Sequence, residues 1–170
     1  LAGWSPSDPS ARPCQAVFAG GIHDALSASM VAVMAAPLAE RGIQVGVQMG
    51  SAYLFTKEAV STGAVVEDYQ REALNCSGTG LLETGVGHAV RCIETPYARF
   101  FHSEKRRLAC EGKSAKELQE ILEKMNTGRL RVATKGIARK TGYGASPEAD
   151  GFVSLSETER REQGLYMIGQ

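Results

Sequence analysis

Gly20 and Gly21 in "FAGGIHD", and Gly50 and Ser51 in "VQMGS", each close a short apolar run and stand just ahead of a helical pattern. Glycine at such a point lets backbone N–H groups come within hydrogen-bond distance of phosphate oxygens, and an adjoining helix N-terminus adds favourable partial positive charge. Ser51 adds a hydroxyl donor directly after Gly50. The chemistry these residue types permit is capture of a phosphate group between two turns that lie one helix apart. Spacing alone leaves a second reading equally open, in which each glycine only lets a strand turn tightly into a helix.

The elements around these turns follow from periodicity. Residues 14–19, "CQAVFA", form a short apolar run bounded by Pro13 and the glycine pair, a length that suits a strand. From 24 to 41 the apolar residues Leu26, Met30, Val33, Met34 and Leu38 recur at helical spacing, with Asp24 as N-cap and Gly42 just past the end. Pro37 is expected to kink or restart this helix. Residues 43–49, "IQVGVQM", form a second strand with β-branched residues at 43, 45 and 47. Neither strand alternates cleanly with polar residues, so the unit predicts a parallel βαβ crossover covered on both faces, part of an α/β layer or barrel.

Residues 1–13 carry three prolines and predict an irregular approach segment in which Trp4 packs. Farther on, "TKEAV" and "VEDYQREAL" are helical fragments parted by Thr62-Gly63, and Gly85 and Gly87 mark a hairpin between two strand-like runs. Residues 97–111 predict a charged helix. Ser114 and Glu117 form a capping box ahead of Leu118, Ile121, Leu122 and Met125, a helix that closes at Gly128. A basic run, "GRLRVATKGIARK", precedes the loop-like "GYGASPEADG" and a short helix over 156–163. The chain opens on Leu1 and closes on the apolar "GLYMIGQ", which suggests a piece of something longer.

Composition narrows the function classes. Lys plus Arg equals Asp plus Glu at 19 each, so no global field draws in nucleic acid or an anionic membrane. Cys14, Cys76, Cys92 and Cys110 form no C-x-x-C pair, so spacing supports no metal site and suits a reducing, cytoplasmic setting. No stretch approaches ~18 apolar residues, the length a membrane-spanning helix needs.

"FAGGIHD" followed by "VGVQMGSAYLFTKEAV" closely resembles the last two strands of the nitronate monooxygenase family, also called 2-nitropropane dioxygenase-like proteins, which are FMN-dependent (β/α)₈ TIM barrels. The resemblance implies an FMN phosphate site made by Gly20, Gly21, Gln48, Met49, Gly50 and Ser51, with Ser51 in place of the family's threonine. The stretches "LLETGVGHAVRCIETP", "GRLRVATKGIAR" and "GLYMIGQ" are more similar to a subgroup associated with polyunsaturated fatty acid and polyketide synthases. Its members act as FMN-dependent enoyl reductases or are fused to synthase modules, and the longer connection containing "APLAERG" points the same way.

By this resemblance the chain is an α/β C-terminal part of an FMN-binding barrel. Residues 1–56 hold its last two strand-helix units, and 57–170 form a mainly helical segment. The implied function is enoyl-thioester reduction. The alternatives are oxidation of alkyl nitronates with O₂, a non-catalytic docking element of a synthase, and a site for a different phosphorylated ligand. The family's catalytic base, a loop histidine, is expected upstream of Leu1, so His23 is read as a polar residue near the flavin edge or at a solvated helix N-terminus, and His88 and His102 have weaker claims still.

Arg129, Arg131, Lys135, Arg139 and Lys140 offer two readings, a solvated basic face or a dock for a phosphopantetheine phosphate or an acidic acyl carrier protein. Lys105, Arg106 and Arg107 read as a solvated face, and Cys92 and Cys110 as packing thiols.

Overall fold

A computed structural model of the chain describes residues 14–140 and 151–169. The approach segment with Trp4 and nearly all of the "GYGASPEADG" loop lie outside them. The chain is mixed α/β and divides into two compact units at Tyr53 and Leu54.

In the first unit, β1 (Gln15–Ala19), α1 (Ala25–Ala39) and β2 (Gln44–Gln48) form the βαβ crossover, and the two strands pair in parallel. Register runs from Gln15 opposite Gln44 to Ala19 opposite Gln48. At the strands' N-terminal ends the Gln15 amide donates to Gln44 Oε1 at 3.0 Å, a side-chain tie across the pair. Asp24 caps α1, as its position suggests. The helix continues through Pro37 without restarting. Proline supplies no N–H to the carbonyl four residues back, but at 37 only the last turn of α1 remains to be weakened.

Four of the five residues whose spacing signals α1 are not the ones it buries. Leu26, Met30, Val33 and Met34 form an exposed stripe. On the opposite side Ala28, Val31 and Leu38 are half-buried and Ala35 is only 1% exposed, so the small residues face inward. Periodicity reports apolar residues but not which side is covered, and α1 is apolar on both. A single helical turn, α2 (Ser51–Leu54), follows β2.

The second unit begins with α3 (Lys57–Ser61) and α4 (Glu67–Asn75), separated by the turn at Thr62-Gly63. The hairpin expected around Gly85 and Gly87 forms as β3 (Thr79–Gly85) and β4 (His88–Ile93), antiparallel with an irregularity between Glu83 and Gly85. Next come α5 (Pro96–Cys110), α6 (Ala115–Asn126) with its Ser114/Glu117 capping box, and α7 (Arg129–Lys135). A short antiparallel pair, β5 (Ile137–Arg139) and β6 (Phe152–Ser154), leads to α8 (Glu157–Gln163). Among the described residues no helix is long and apolar enough to cross a membrane.

Two apolar clusters hold this unit. Leu82, Cys92, Tyr97, Phe101, Leu108 and Leu122 join the hairpin to α5 and α6. Val65, Tyr69, Ala73, Ile93, Ala133, Tyr166 and Ile168 join α4 to α7 and to the residues after α8. The run "GLYMIG" is apolar because it enters the core: Tyr166 stacks on Tyr69 with ring centroids 5.1 Å apart, and the Tyr69 hydroxyl donates to the Met167 carbonyl. The same residues extend the hairpin edge, where Ile93 N–H donates to Tyr166 O at 2.9 Å and Ile168 N–H to Arg91 O at 3.1 Å. Burial pushes the Tyr166 phenol up to about 12, with Glu72 adding to it, so the ring stays neutral at ordinary pH.

Ion pairs tie α8 to α4. Arg160 faces Asp68, Arg71 bridges Asp68 and Glu157 at 2.7 Å each, and Arg161 meets Glu72 at 3.2 Å. Apart from Asp68 and Arg71, which are three residues apart on α4, these partners could not be paired from sequence spacing, since α4 and α8 lie far apart in the chain.

Gly164 is where this closure is tightest. A Cβ there would lie 2.5 Å from the Arg160 carbonyl oxygen and 3.1 Å from Ala133 Cα, both backbone atoms. Its φ of −84° is open to any residue, so crowding alone demands glycine. Gly164→Ala is expected to destabilise the second unit by about 1–3 kcal/mol, the cost typical of overpacking. Urea denaturation followed by far-UV circular dichroism measures it, and an unchanged midpoint would show that the site has room.

Candidate functional site

Parallel pairing brings the two glycine turns to one edge. Because Ala19 stands opposite Gln48, the chain leaves both strands at the same end: Gly20-Gly21 from β1, and Met49-Gly50-Ser51 from β2. All six residues singled out by the sequence therefore lie at or just beyond the carboxyl ends of a parallel pair, the edge at which ligands bind in α/β sheets. Gln48 and Gly50 are exposed, and Met49 and Ser51 are half-buried.

The two turns need glycine for different reasons. Gly20 and Gly21 have φ of 97° and 69°, a left-handed conformation costly to other residues, while a Cβ at either would meet nothing within 4 Å. Gly50 lies outside the left-handed region, and a Cβ there would also meet nothing within 4 Å. Neither backbone conformation nor crowding among the described residues accounts for glycine at 50; open space beside a strand end is what close approach of a ligand's phosphate requires.

Beyond Gly21 the turn is built into the start of α1. Ile22 is buried. The His23 and Asp24 N–H groups each donate to Ser27 Oγ at 3.1 Å, and Ser27 N–H donates to Asp24 Oδ1 at 2.8 Å. The His23 ring folds back, its Nδ1 lying 2.8 Å from the Gly21 carbonyl oxygen and its Nε2 3.7 Å from Asp24 Oδ2. A carbonyl only accepts, so Nδ1 carries the hydrogen. Neither the ring contact nor the role of Ser27 was drawn from the sequence; Asp24-x-x-Ser27 is the signal that would have revealed the second.

The electrostatics differ from the general expectation for such a turn. The N-terminus of α1 is already occupied by the Asp24 carboxylate, whose hydrogen bonds from the Ser27 hydroxyl and then the Ser27 backbone hold it below its usual value. The helix-terminus charge is therefore spent internally at α1, and α2 is one turn long. Arg41 is the only Lys or Arg among residues 14–53 and lies just beyond the other end of α1. What this edge brings together is two glycine turns, open space beside Gly50 among the described residues, and a serine at the end of β2, residue types that fit one side of a phosphate.

The remaining chemistry-bearing residues are mostly engaged in holding the second unit together. Arg129 donates to the Met125 and Gln163 carbonyls at 3.2 Å each and lies over the Tyr97 ring, Arg131 covers Phe152, and Lys135 Nζ donates to Gly63 O. Arg139 and Lys140 are exposed. Lys105 is not merely solvated: its Nζ donates to the Glu83 carbonyl at 2.8 Å and pairs with the Glu83 carboxylate at 3.0 Å, fastening α5 to β3, while Arg107 pairs with Glu104 and Glu111 along its own helix. Cys92 is a packing thiol, pushed up to about 11 by burial and then by Glu94. Cys110 is exposed, so the packing role read for it does not hold; position 110 closes α5 on its outer side. His88 Nδ1 lies 3.5 Å from Glu123 Oε1, and His102 sits edge-on to Phe101. Among the described residues no group of three or more His, Cys, Asp or Glu could hold a metal ion.

Because Ser27 lowers the Asp24 carboxyl in the folded chain, the stabilisation is present above the unfolded value and is lost as pH falls through the folded one. Ser27→Ala is expected to move the Asp24 titration upward toward its usual value and to speed amide exchange severalfold in the first turn of α1. Carbon-13 NMR titration of the Asp24 carboxyl and hydrogen exchange check the two effects. An Asp24 titration that does not move would remove Ser27 as the cause.

No family model, no curated protein and no solved structure matches this chain.

Proposed function

We propose that the chain is part of an FMN-dependent oxidoreductase resembling the nitronate monooxygenase-like barrels, and that its reaction is reduction of an enoyl thioester in polyunsaturated fatty acid or polyketide assembly. One observation supports the proposal: the β1–β2 register sets Gly20-Gly21 beside Met49-Gly50-Ser51, with a glycine at 50 that neither its backbone conformation nor crowding among the described residues explains. Gly20, Gly21, Gln48, Met49, Gly50 and Ser51 would hold the FMN phosphate side. When bound, FMN would supply hydride transfer at its ring. This chain's own part is to bind and to position. The left-handed turn at Gly20-Gly21 fixes where the backbone leaves β1, and the Ser51 hydroxyl adds a donor at the end of β2. Substrate chemistry falls to residues outside this sequence, and the acyl substrate would arrive free or on a carrier protein.

A second reading, a packing or docking element within a synthase that does no chemistry, draws on the exposed stripe Leu26, Met30, Val33 and Met34. Full-length protein that purifies yellow with FMN counts against it. Incubation with NADPH and an enoyl thioester, and separately with a nitronate under air, divides the two redox reactions. Flavin reoxidation by the nitronate alone would overturn the reductase assignment, and a phosphorylated ligand with no flavin spectrum would overturn FMN.

Gly50→Val tests the site directly. Since a Cβ at 50 meets nothing within 4 Å among the described residues, the thermal midpoint is expected to stay within a degree or so while FMN retention falls roughly tenfold or more. Fluorescence titration of the apoprotein with FMN reads the affinity. Equal FMN affinity in Gly50→Val would place the phosphate elsewhere.

A further inference from the structure

We infer that His23 is a positioning residue for the phosphate turn, holding the Gly20-Gly21 backbone in its bound conformation through the Gly21 carbonyl. This inference rests on the phosphate reading of the preceding subsection and adds a residue to it. Two successive left-handed glycines are the least restrained backbone a chain can have, because glycine gives up the most freedom on ordering. A turn left to itself would be ordered by the ligand, and that ordering would be subtracted from affinity.

The geometry supplies a brace. His23 Nδ1 reaches the Gly21 carbonyl at 2.8 Å, which ties the ring to the peptide linking Gly21 to Ile22. The ring's other end lies 3.7 Å from Asp24 Oδ2, and the His23 and Asp24 N–H groups are both held by Ser27 Oγ. Ile22, between brace and turn, is buried. The Gly21 peptide is thus held from one side by the ring and from the other by a packed residue. The carbonyl, which would repel a phosphate, is turned toward His23 and occupied. His23 touches neither ligand nor substrate in this arrangement; it acts through the backbone.

The variants are His23→Ala, which removes the donor, and His23→Asn, whose side-chain amide can place an N–H near the position of Nδ1. In the full-length protein, FMN and riboflavin are titrated against the apoprotein of each. His23→Ala is expected to weaken FMN roughly three- to tenfold, the scale of one hydrogen bond, and to leave riboflavin unchanged. His23→Asn is expected to recover most of the loss. A change in general stability would move both ligands together, so the ratio of FMN to riboflavin affinity is the diagnostic quantity. Wild-type protein that binds FMN no better than riboflavin would remove the phosphate site and the role of His23 together. A normal wild-type preference that His23→Ala leaves intact would remove the role of His23 alone, as would failure of His23→Asn to recover what His23→Ala loses.

Discussion

Parallel strands cannot be joined by a tight turn, because the chain must travel back the length of the sheet before pairing again. In the first unit α1 makes that return, and its length sets the register that places Ala19 opposite Gln48. Everything proposed for the site depends on this pairing. A slip of one residue would turn the side chains of a strand to the other face and stagger the two glycine turns. The Gln15–Gln44 hydrogen bond at the far end of the pair and the Asp24–Ser27 box at the start of α1 hold the crossover at both ends. The site is thus a property of a strand pairing rather than of any one loop.

The edge made by this pairing is poor in charge. α1 uses its N-terminus on Asp24, and residues 14–53 carry Arg41 as their only Lys or Arg, at the other end of the helix. A phosphate held here would meet glycine backbone rather than basic side chains. Such a surface does not draw in anions from a distance as a basic cleft would. It rewards a ligand whose remaining bulk is held by other parts of the protein, as a large cofactor's would be.

How much was legible in the sequence divides by the range of the interaction. The βαβ order, the Asp24 cap, the Ser114/Glu117 box, the hairpin at Gly85 and Gly87 and the helix over 156–163 are local signals, and the structure contains all of them. The inward face of α1 was not legible, because Leu26, Met30, Val33 and Met34 on one side and Ala28, Val31, Ala35 and Leu38 on the other are both apolar and only packing chooses between them. The ties of Lys105 to Glu83 and of Arg160 to Asp68 join residues far apart in the chain, so a run of basic residues read as solvated surface turned out to be partly fastening. At the site, glycine and serine types were visible, but the His23 brace depends on a ring orientation that no spacing encodes.

The closure of the second unit by residues 165–168 has a consequence for synthesis. Tyr166 and Ile168 complete a cluster founded by Val65 and Tyr69 and extend an edge founded by Arg91 and Ile93, so these contacts span some seventy to a hundred residues of chain. On the ribosome the hairpin and α4 emerge well before their cover does. Until then the Tyr69 ring and the β4 edge face solvent as apolar surface beside unpaired backbone, the kind of surface that chaperones hold. A nascent chain of this protein therefore waits for residues 165–168, and a stop codon before Leu165 would leave that wait without an end.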